Sequence, residues 1–133
     1  MSYTAVVSQV TPTGFADLAQ AAEELPQAEV TDGRVRLSIQ GQAGIGLPGM
    51  VRLAGTLRTN SLVLPWVRVE VVISPWSAGR SEVAIHPITH LGRIDSLRSG
   101  RFFEAARSIL PELIERLGAG LRVDVPAAPA LAA

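Results

Sequence analysis

Residues 66–83 read WVRVEVVISPWSAGRSEV, and this stretch decides the fold class. Within residues 67–73 every second residue is apolar, and Arg68 and Glu70 lie between these apolar positions. Alternation of this kind predicts a β-strand with one buried and one polar face. The segment Pro75–Gly79 predicts a turn, after which the alternation resumes. The stretch therefore predicts an antiparallel hairpin whose two strands share one apolar face.

The sequence on the amino-terminal side of this hairpin predicts four more strands. They cover residues 3–10, 28–30, 34–39 and 51–58. The dipeptide Asp32-Gly33 separates the second of these strands from the third. Asp-Gly is typical of a two-residue hairpin turn, because both central residues of that turn need a positive φ. Gly55 interrupts the fourth strand and predicts a bulge or a bend there.

Two amphipathic helices flank the strands. The segment Thr11–Gly14 is typical of a helix start, apolar residues follow it at helical spacing, and Pro26 ends this first helix. The second helix carries a continuous apolar stripe over Phe102–Leu117. Gly118 and Gly120 follow the stripe and are typical of a helix end.

These elements predict the α+β class. We expect an antiparallel sheet of about six strands, in the order β-α-β-β-β-β-β-α, with the long C-terminal helix packed across its apolar face. Residues 1–122 are expected to form a single domain. Residues 123–133 are rich in alanine and proline and predict a flexible tail.

This element order resembles the START-like helix-grip superfamily, which includes the polyketide cyclase and dehydrase proteins. The strand-turn-strand run of residues 66–83 ahead of the helix at 102–117 is the local part of the resemblance. Members of that superfamily hold an apolar ligand between a curved sheet and the terminal helix, so the resemblance implies such a cavity here. The candidate lining residues are Leu53, Val69, Val71 and Val83 on the sheet and Phe103, Leu110 and Leu113 on the helix.

The composition excludes several classes of protein. The chain has no net charge and no cysteine, so a strongly basic nucleic-acid protein, a disulfide framework and a thiolate metal site are excluded. The first residues lack the pattern of a signal peptide, and no apolar stretch approaches the roughly 20 residues that span a bilayer. We therefore expect a cytoplasmic protein without a membrane span.

The zero net charge conceals an uneven distribution. Residues 1–33 contain five acidic residues and no arginine, whereas residues 34–101 contain nine arginines and three acidic residues. The alternation places one group of residues on the outer face of the sheet: Arg34, Arg36, Arg52, Arg58, Trp66, Arg68 and Arg80, together with Glu70 and Glu82. Two interpretations stay open, a solvated face with cross-strand ion pairs and a face that binds an acidic partner or a second copy of the chain.

Three sequence patterns do not predict a functional site. Residues 44–49 match G-x-G-x-x-G, but a dinucleotide site needs a helix after the motif, and here Pro48 and an alternating strand follow. His86 and His90 are four residues apart, but Pro87 disfavours the helix that would bring them together. Ser77 and Ser81 precede His86 without a nucleophile-elbow motif. We therefore predict no catalytic residue, no metal ligand and no cofactor.

The leading hypothesis is a non-enzymatic carrier or sensor of an apolar small molecule, held between the sheet and the last helix. The alternative is a protein-interaction module or small subunit that uses the arginine-rich outer face and the Gly41–Met50 loop, with a homodimer or an acidic protein as partner. Nucleic acid is an improbable partner because no paired aromatic stacking motif accompanies the arginines. A cyclase-type enzyme ranks third, since the alternation places almost no polar residue inside the sheet.

Overall fold

The computed structural model describes residues 7–23, 28–42, 49–62, 64–77, 79–88 and 96–123, and these form two helices and six strands in the predicted order. In chain order the elements are β1 (Val7–Thr11), α1 (Phe15–Ala22), β2 (Glu29–Asp32), β3 (Val35–Gln42), β4 (Val51–Arg58), β5 (Trp66–Ser77), β6 (Arg80–Ile88) and α2 (Ser96–Val123). The α+β class is confirmed, with the strands in a single curled antiparallel sheet.

The order of strands in the sheet is β1-β6-β5-β4-β3-β2. Strands β2 to β6 form a meander in which each strand pairs with the next. Strand β1 instead pairs with β6, and Val7 lies opposite Ile85. Helix α2 contacts β1 and β6 near one edge of the sheet and β2 and β3 near the other edge. The helix therefore lies across the inner face of the sheet from one edge strand to the other.

The alternation in β5 sorts its side chains as predicted. Val67, Val69, Val71 and Ile73 are buried in the core between the sheet and the helices. The residues between them face the opposite, outer side, and the same division holds along β4. From the helices, α1 contributes Leu18 and Ala22 to this core, and α2 contributes a stripe that includes Phe102, Ile109, Leu113 and Leu117.

Gly55 lies where β3 and β4 approach each other closely. A Cβ atom on this residue would stand 2.8 Å from the backbone oxygen of Ser38. The sequence predicts a bulge or bend in β4 at Gly55, whereas the register shift lies in the neighbouring strand, between Ile39 and Gly41 of β3, directly beside Gly55. A bulge increases the local twist of a strand pair, so this position contributes to the curl of the sheet.

The first hairpin turn lies one residue later than the sequence predicts. Asp32 pairs with Val35, so the two loop residues are Gly33 and Arg34, and Gly33 takes the positive φ of +58°. Asp32 belongs to β2 instead, and its carboxylate accepts a hydrogen bond from the hydroxyl of Ser108 in α2. Asp32 thus lies in the strand, in contact with the helix, rather than in the turn.

Helix α2 is longer than the sequence predicts. It continues through Gly118 and Gly120 to Val123, so the prediction that these glycines end the helix is wrong. A glycine inside a helix costs only about 1 kcal/mol relative to alanine. That cost is small compared with the burial of the apolar stripe that ends at Leu117.

Candidate functional site

The predicted ligand-lining residues lie in the packed core. Residues of this group on the sheet are Leu53, Val69, Val71 and Val83, and those on the helix are Leu110 and Leu113, all with exposed fractions of 0–2%. Phe103 is partly buried and packs against the same cluster. Side chains this fully covered leave no water-sized space beside them. A ligand between the sheet and α2 would therefore require these side chains to move apart.

The outer face of the sheet is organised in cross-strand rows. Arg36 lies opposite Arg58, and Arg58 lies opposite Trp66, so the three are neighbours across β3, β4 and β5. Arg68 follows Trp66 on the same face of β5 and pairs with Thr56 of β4. Neighbouring strands are about 4.8 Å apart, and successive residues on one face of a strand are about 6.6 Å apart. The sheet therefore holds Arg58, Trp66 and Arg68 close together.

Two arginines of this face form ion pairs. Arg52 donates two hydrogen bonds to Glu70, with 2.5 Å from Nε to Oε1 and 2.9 Å from Nη2 to Oε2. These hydrogen bonds, followed by the charge of Glu70, raise the pKa of Arg52. Arg36 contacts Glu29 of the edge strand at 3.0 Å. For these two arginines the interpretation as a face with cross-strand ion pairs holds.

Arg58 and Arg68 differ from this pattern, since the side chain of neither forms a hydrogen bond or an ion pair with any residue that the structure describes. They border a groove of about 460 Å³ on the outer face. We call this groove the arginine groove, and its lining residues are Gln40, Thr56, Arg58, Pro65, Trp66 and Arg68. Trp66 is 59% exposed. The amide nitrogen of Gln40 donates to the hydroxyl of Thr56 at 3.3 Å.

The arginine groove carries groups that bind anions. A guanidinium stays protonated in proteins and can hold a carboxylate or a phosphate through two parallel hydrogen bonds. The indole of Trp66 adds a large apolar surface beside these cations. Trp and Arg are also the residues most enriched where binding energy concentrates in protein interfaces. Their position on paired strands fixes the backbone from which these side chains extend before any partner arrives.

The loop between β4 and β5 forms one border of the groove. The amide of Thr59 donates to the carbonyl of Pro65 at 3.0 Å, and the hydroxyl of Thr59 donates to the carbonyl of Leu64. The amide of Ser61 donates to that same hydroxyl at 3.0 Å. Leu64 is buried in the core, whereas Leu62 is 98% exposed. Internal hydrogen bonds thus hold a loop that presents a leucine to solvent.

Other residues of the predicted interaction face lie apart from the groove. Arg34 occupies the β2–β3 turn, at the same end of the sheet as Trp66. Arg80 pairs with Ser77 at the opposite end of β5, about 36 Å of extended strand away. In the Gly41–Met50 loop, residues 43–48 lie outside the described residues, and so does most of the G-x-G-x-x-G match.

The histidine and serine candidates are separated. His86 belongs to β6 rather than to a connecting segment and lies opposite Glu70, whereas His90 falls outside the described residues. Ser81 is buried, and its hydroxyl donates to the carbonyl of Thr13 at 2.8 Å. Among the described residues, no three His, Asp or Glu side chains gather where they could hold a metal ion.

Sequence reasoning identified Arg58, Trp66 and Arg68 on the outer face but missed the groove and the Leu62 loop. The available signal was the apolar run from Leu62 to Trp66 in a connection between strands, where polar residues are usual.

Neither helix in the described part of the chain is long and apolar enough to cross a bilayer.

No protein-family model matches the chain, and no match was found among curated proteins or solved structures. The function is therefore argued from the geometry of the outer face.

Proposed function

We propose that the chain is a non-enzymatic binding module that holds a negatively charged partner in the arginine groove. One observation carries the proposal. Arg58 and Arg68, which have no acidic partner among the described residues, flank the largely exposed Trp66 on hydrogen-bonded strands. This function corresponds to the interaction-module hypothesis, with the site narrowed to one end of the outer face.

The difference between paired and unpaired arginines supports this proposal. A solvated face balances its own charges, as Arg36 does with Glu29 and Arg52 with Glu70. In the arginine groove no described residue supplies that balance, so the positive potential extends into solvent. An anion entering the groove would gain attraction to both guanidinium groups without having to displace an internal acid.

The sedimentation of the chain in an extract of its host cells, membranes included, tests the proposal. At low ionic strength we expect the wild-type chain to sediment with a larger assembly and to be released at high ionic strength, because salt screens exposed charges. Trp66→Ala is expected to weaken this association about 30-fold, the size typical of losing a central interface tryptophan.

Trp76→Ala supplies the matched control, because Trp76 lies on the same strand and is 58% exposed. The control is expected to sediment as the wild type does. If Trp66→Ala and the double change Arg58→Gln, Arg68→Gln both sediment like the wild type, the groove is not the binding site. A wild-type chain that sediments as a free monomer at every ionic strength would also contradict the proposal.

The carrier hypothesis is a second candidate, supported by the position of α2 across the inner face of a curled sheet. This arrangement is compatible with a helix-grip fold. Native mass spectrometry after mild purification, combined with solvent extraction, tests it. A bound apolar molecule that is lost in Leu110→Trp is the expected result for a carrier. A chain without a bound molecule, which Leu110→Trp destabilises by overpacking a filled core, would count against it.

A further inference from the structure

Three large apolar side chains are exposed at one end of the sheet. Leu62 stands out from the β4–β5 loop, Trp66 begins β5, and Ile88, which is 45% exposed, ends β6. The β2–β3 turn at Gly33 and Arg34 lies at this same end, because Arg36 pairs with Arg58 and Arg58 pairs with Trp66. We call this part of the molecule the loop end.

Arginines lie between these apolar side chains. Arg58 is the cross-strand neighbour of Trp66, Arg68 is the cross-strand neighbour of Ile88, and Arg34 projects from the turn. Among the described residues, the acidic groups at and near this end have other contacts, since Asp32 accepts a hydrogen bond from Ser108 and Glu29 pairs with Arg36. Within the described part of the chain, Arg34, Arg58 and Arg68 therefore have no acidic partner at this end and can meet an external anion.

From this juxtaposition we infer that the negatively charged partner is the surface of an anionic lipid membrane, which the chain meets with its loop end. The inference rests on the function proposed above and names the partner. Leu62 enters the boundary between headgroups and acyl chains, and Trp66 and Ile88 lie at the level of the headgroups. Arg34, Arg58 and Arg68 bind lipid phosphates.

The chemistry of the loop end favours a membrane over other polyanions. A nucleic acid would use the arginines and Trp66, but it offers nothing apolar to Leu62 or Ile88. An acidic peptide in the arginine groove would likewise leave Leu62 in water. A membrane surface satisfies both sets of residues at once, because apolar side chains enter the interface while cations stay with the phosphates. A tryptophan ring is also well suited to that boundary.

The size and shape of the loop end also favour a membrane surface as its partner. A standard protein interface uses about 20–30 residues on each side. The loop end presents a few side chains at the tips of a loop, a turn and a strand end. One or two inserted apolar residues assisted by nearby cations give weak, reversible membrane binding, which needs no large flat contact area.

The binding of purified chain to vesicles tests the inference. The vesicles contain either roughly equal parts of phosphatidylcholine and phosphatidylglycerol, or phosphatidylcholine alone. A Trp76→Phe background leaves Trp66 as the one indole in the chain. We expect the emission of Trp66 to shift to shorter wavelength with the anionic vesicles, to be quenched by brominated lipid, and to return to its starting value in high salt.

Substitutions at the loop end separate the apolar and the ionic contributions. Leu62→Ser is expected to weaken vesicle binding about tenfold or more, from the loss of one inserted leucine. The double change Arg58→Gln, Arg68→Gln is expected to weaken it about 30-fold and to flatten the salt dependence. Arg80→Gln, at the opposite end of the sheet, is the matched control and is expected to bind as the Trp76→Phe background does.

Circular dichroism establishes that each variant is folded. If anionic vesicles neither bind nor shift the emission of Trp66, the inference is wrong. Vesicle binding that Leu62→Ser leaves unchanged, or that Arg80→Gln weakens equally, would also overturn it. A wild-type chain that binds no vesicles, while Trp66→Ala abolishes sedimentation with the larger assembly of the host extract, would support the binding-module function. The partner would then be an acidic protein instead of a membrane. If the chain binds no vesicles and Trp66→Ala does not change its sedimentation in the host extract, both proposals are contradicted.

Discussion

At the scale of single residues, Gly55 shows how close contact between two strands excludes a side chain. Its position opposite Ile39, beside the bulge in β3, brings the carbonyl of Ser38 to where a Cβ atom would lie. The atom in the way belongs to the backbone, so it cannot swing aside as a flexible side chain can. Any larger residue must push the two strands apart.

We expect Gly55→Ala to lower the free energy of unfolding by about 1–3 kcal/mol, the usual cost of an overpacked core. Urea unfolding followed by circular dichroism measures the effect. Gly100→Ala is the control, because Gly100 lies in α2 with open space around it. There, alanine is expected to raise stability by about 0.5–1 kcal/mol, so the two substitutions should differ in sign. Equal stability in Gly55→Ala would show that the sheet can relax at the bulge.

The arginines show what sequence alone can and cannot reveal at this scale. Alternation along β4 and β5 placed Arg52, Arg58 and Arg68 on the outer face, because side-chain direction in a strand has a period of two. It could not reveal which of them are paired. Arg52 binds Glu70, a diagonal neighbour, while its direct neighbour is Val72. That partner depends on strand register, and so does the lack of an acidic partner for Arg58 among the described residues.

At the scale of elements, helix α2 contains a proline in its interior. Pro111 is exposed, on the side away from the core, and it lacks the N–H that would bond to the carbonyl of Arg107. In an interior position proline is about 3 kcal/mol less favourable than alanine. The apolar stripe of α2 remains continuous across it, from Phe102 to Leu117.

We expect Pro111→Ala to raise the free energy of unfolding by up to about 3 kcal/mol, because it restores one backbone hydrogen bond and removes a clash. Thermal unfolding at a fixed heating rate gives the change. Glu115→Ala, one turn along on the solvent side, is expected to change stability by less than about 0.5 kcal/mol. A loss of stability in Pro111→Ala would mean that the core requires the helix shape that proline imposes.

The ends of elements were less predictable than their existence. The pair Asp32-Gly33 predicts a hairpin correctly but places its turn one residue early, and the contact of Asp32 with Ser108 is remote in sequence and invisible to a local pattern. Strand β5 likewise continues through Pro75, which lies opposite Ser81, to Ser77, and the register is irregular between Pro75 and Ser77. In both cases a tertiary or cross-strand contact outweighed the local preference for a turn.

At the scale of the whole molecule, α2 joins the two edges of the sheet. It contacts β1 and β6 near one edge and β2 and β3 near the other, so its packing couples strands that do not touch each other. The order of elements and the packing of the helix could be predicted from the alternation and the Phe102–Leu117 stripe. The pairing of β1 with β6 could not, because no local pattern records which edge of the meander receives the first strand.

We expect Leu113→Ala to lower the free energy of unfolding by about 2–5 kcal/mol, since Leu113 is fully buried between α2 and the sheet. Two probes of the unfolding of Leu113→Ala in a Trp76→Phe background should give the same transition midpoint. One is the helical circular dichroism signal, and the other is the fluorescence of Trp66 on the outer face of the sheet. Glu115→Ala is again the control. Separate midpoints would show that the sheet survives without its helix, contrary to the coupling of the two sheet edges by α2.

The pairing of β1 with β6 also has a consequence for protein synthesis. Val7 and its partner Ile85 are separated by most of the chain. At 5–20 residues per second, a ribosome makes Val7 roughly 4–16 s before Ile85. During that interval strands β2 to β5 can already pair with one another, while the partner strand of β1 has not yet been made. Its docking therefore belongs among the last steps of folding, and until then the emerging β6 offers an open edge to any other strand in the cell.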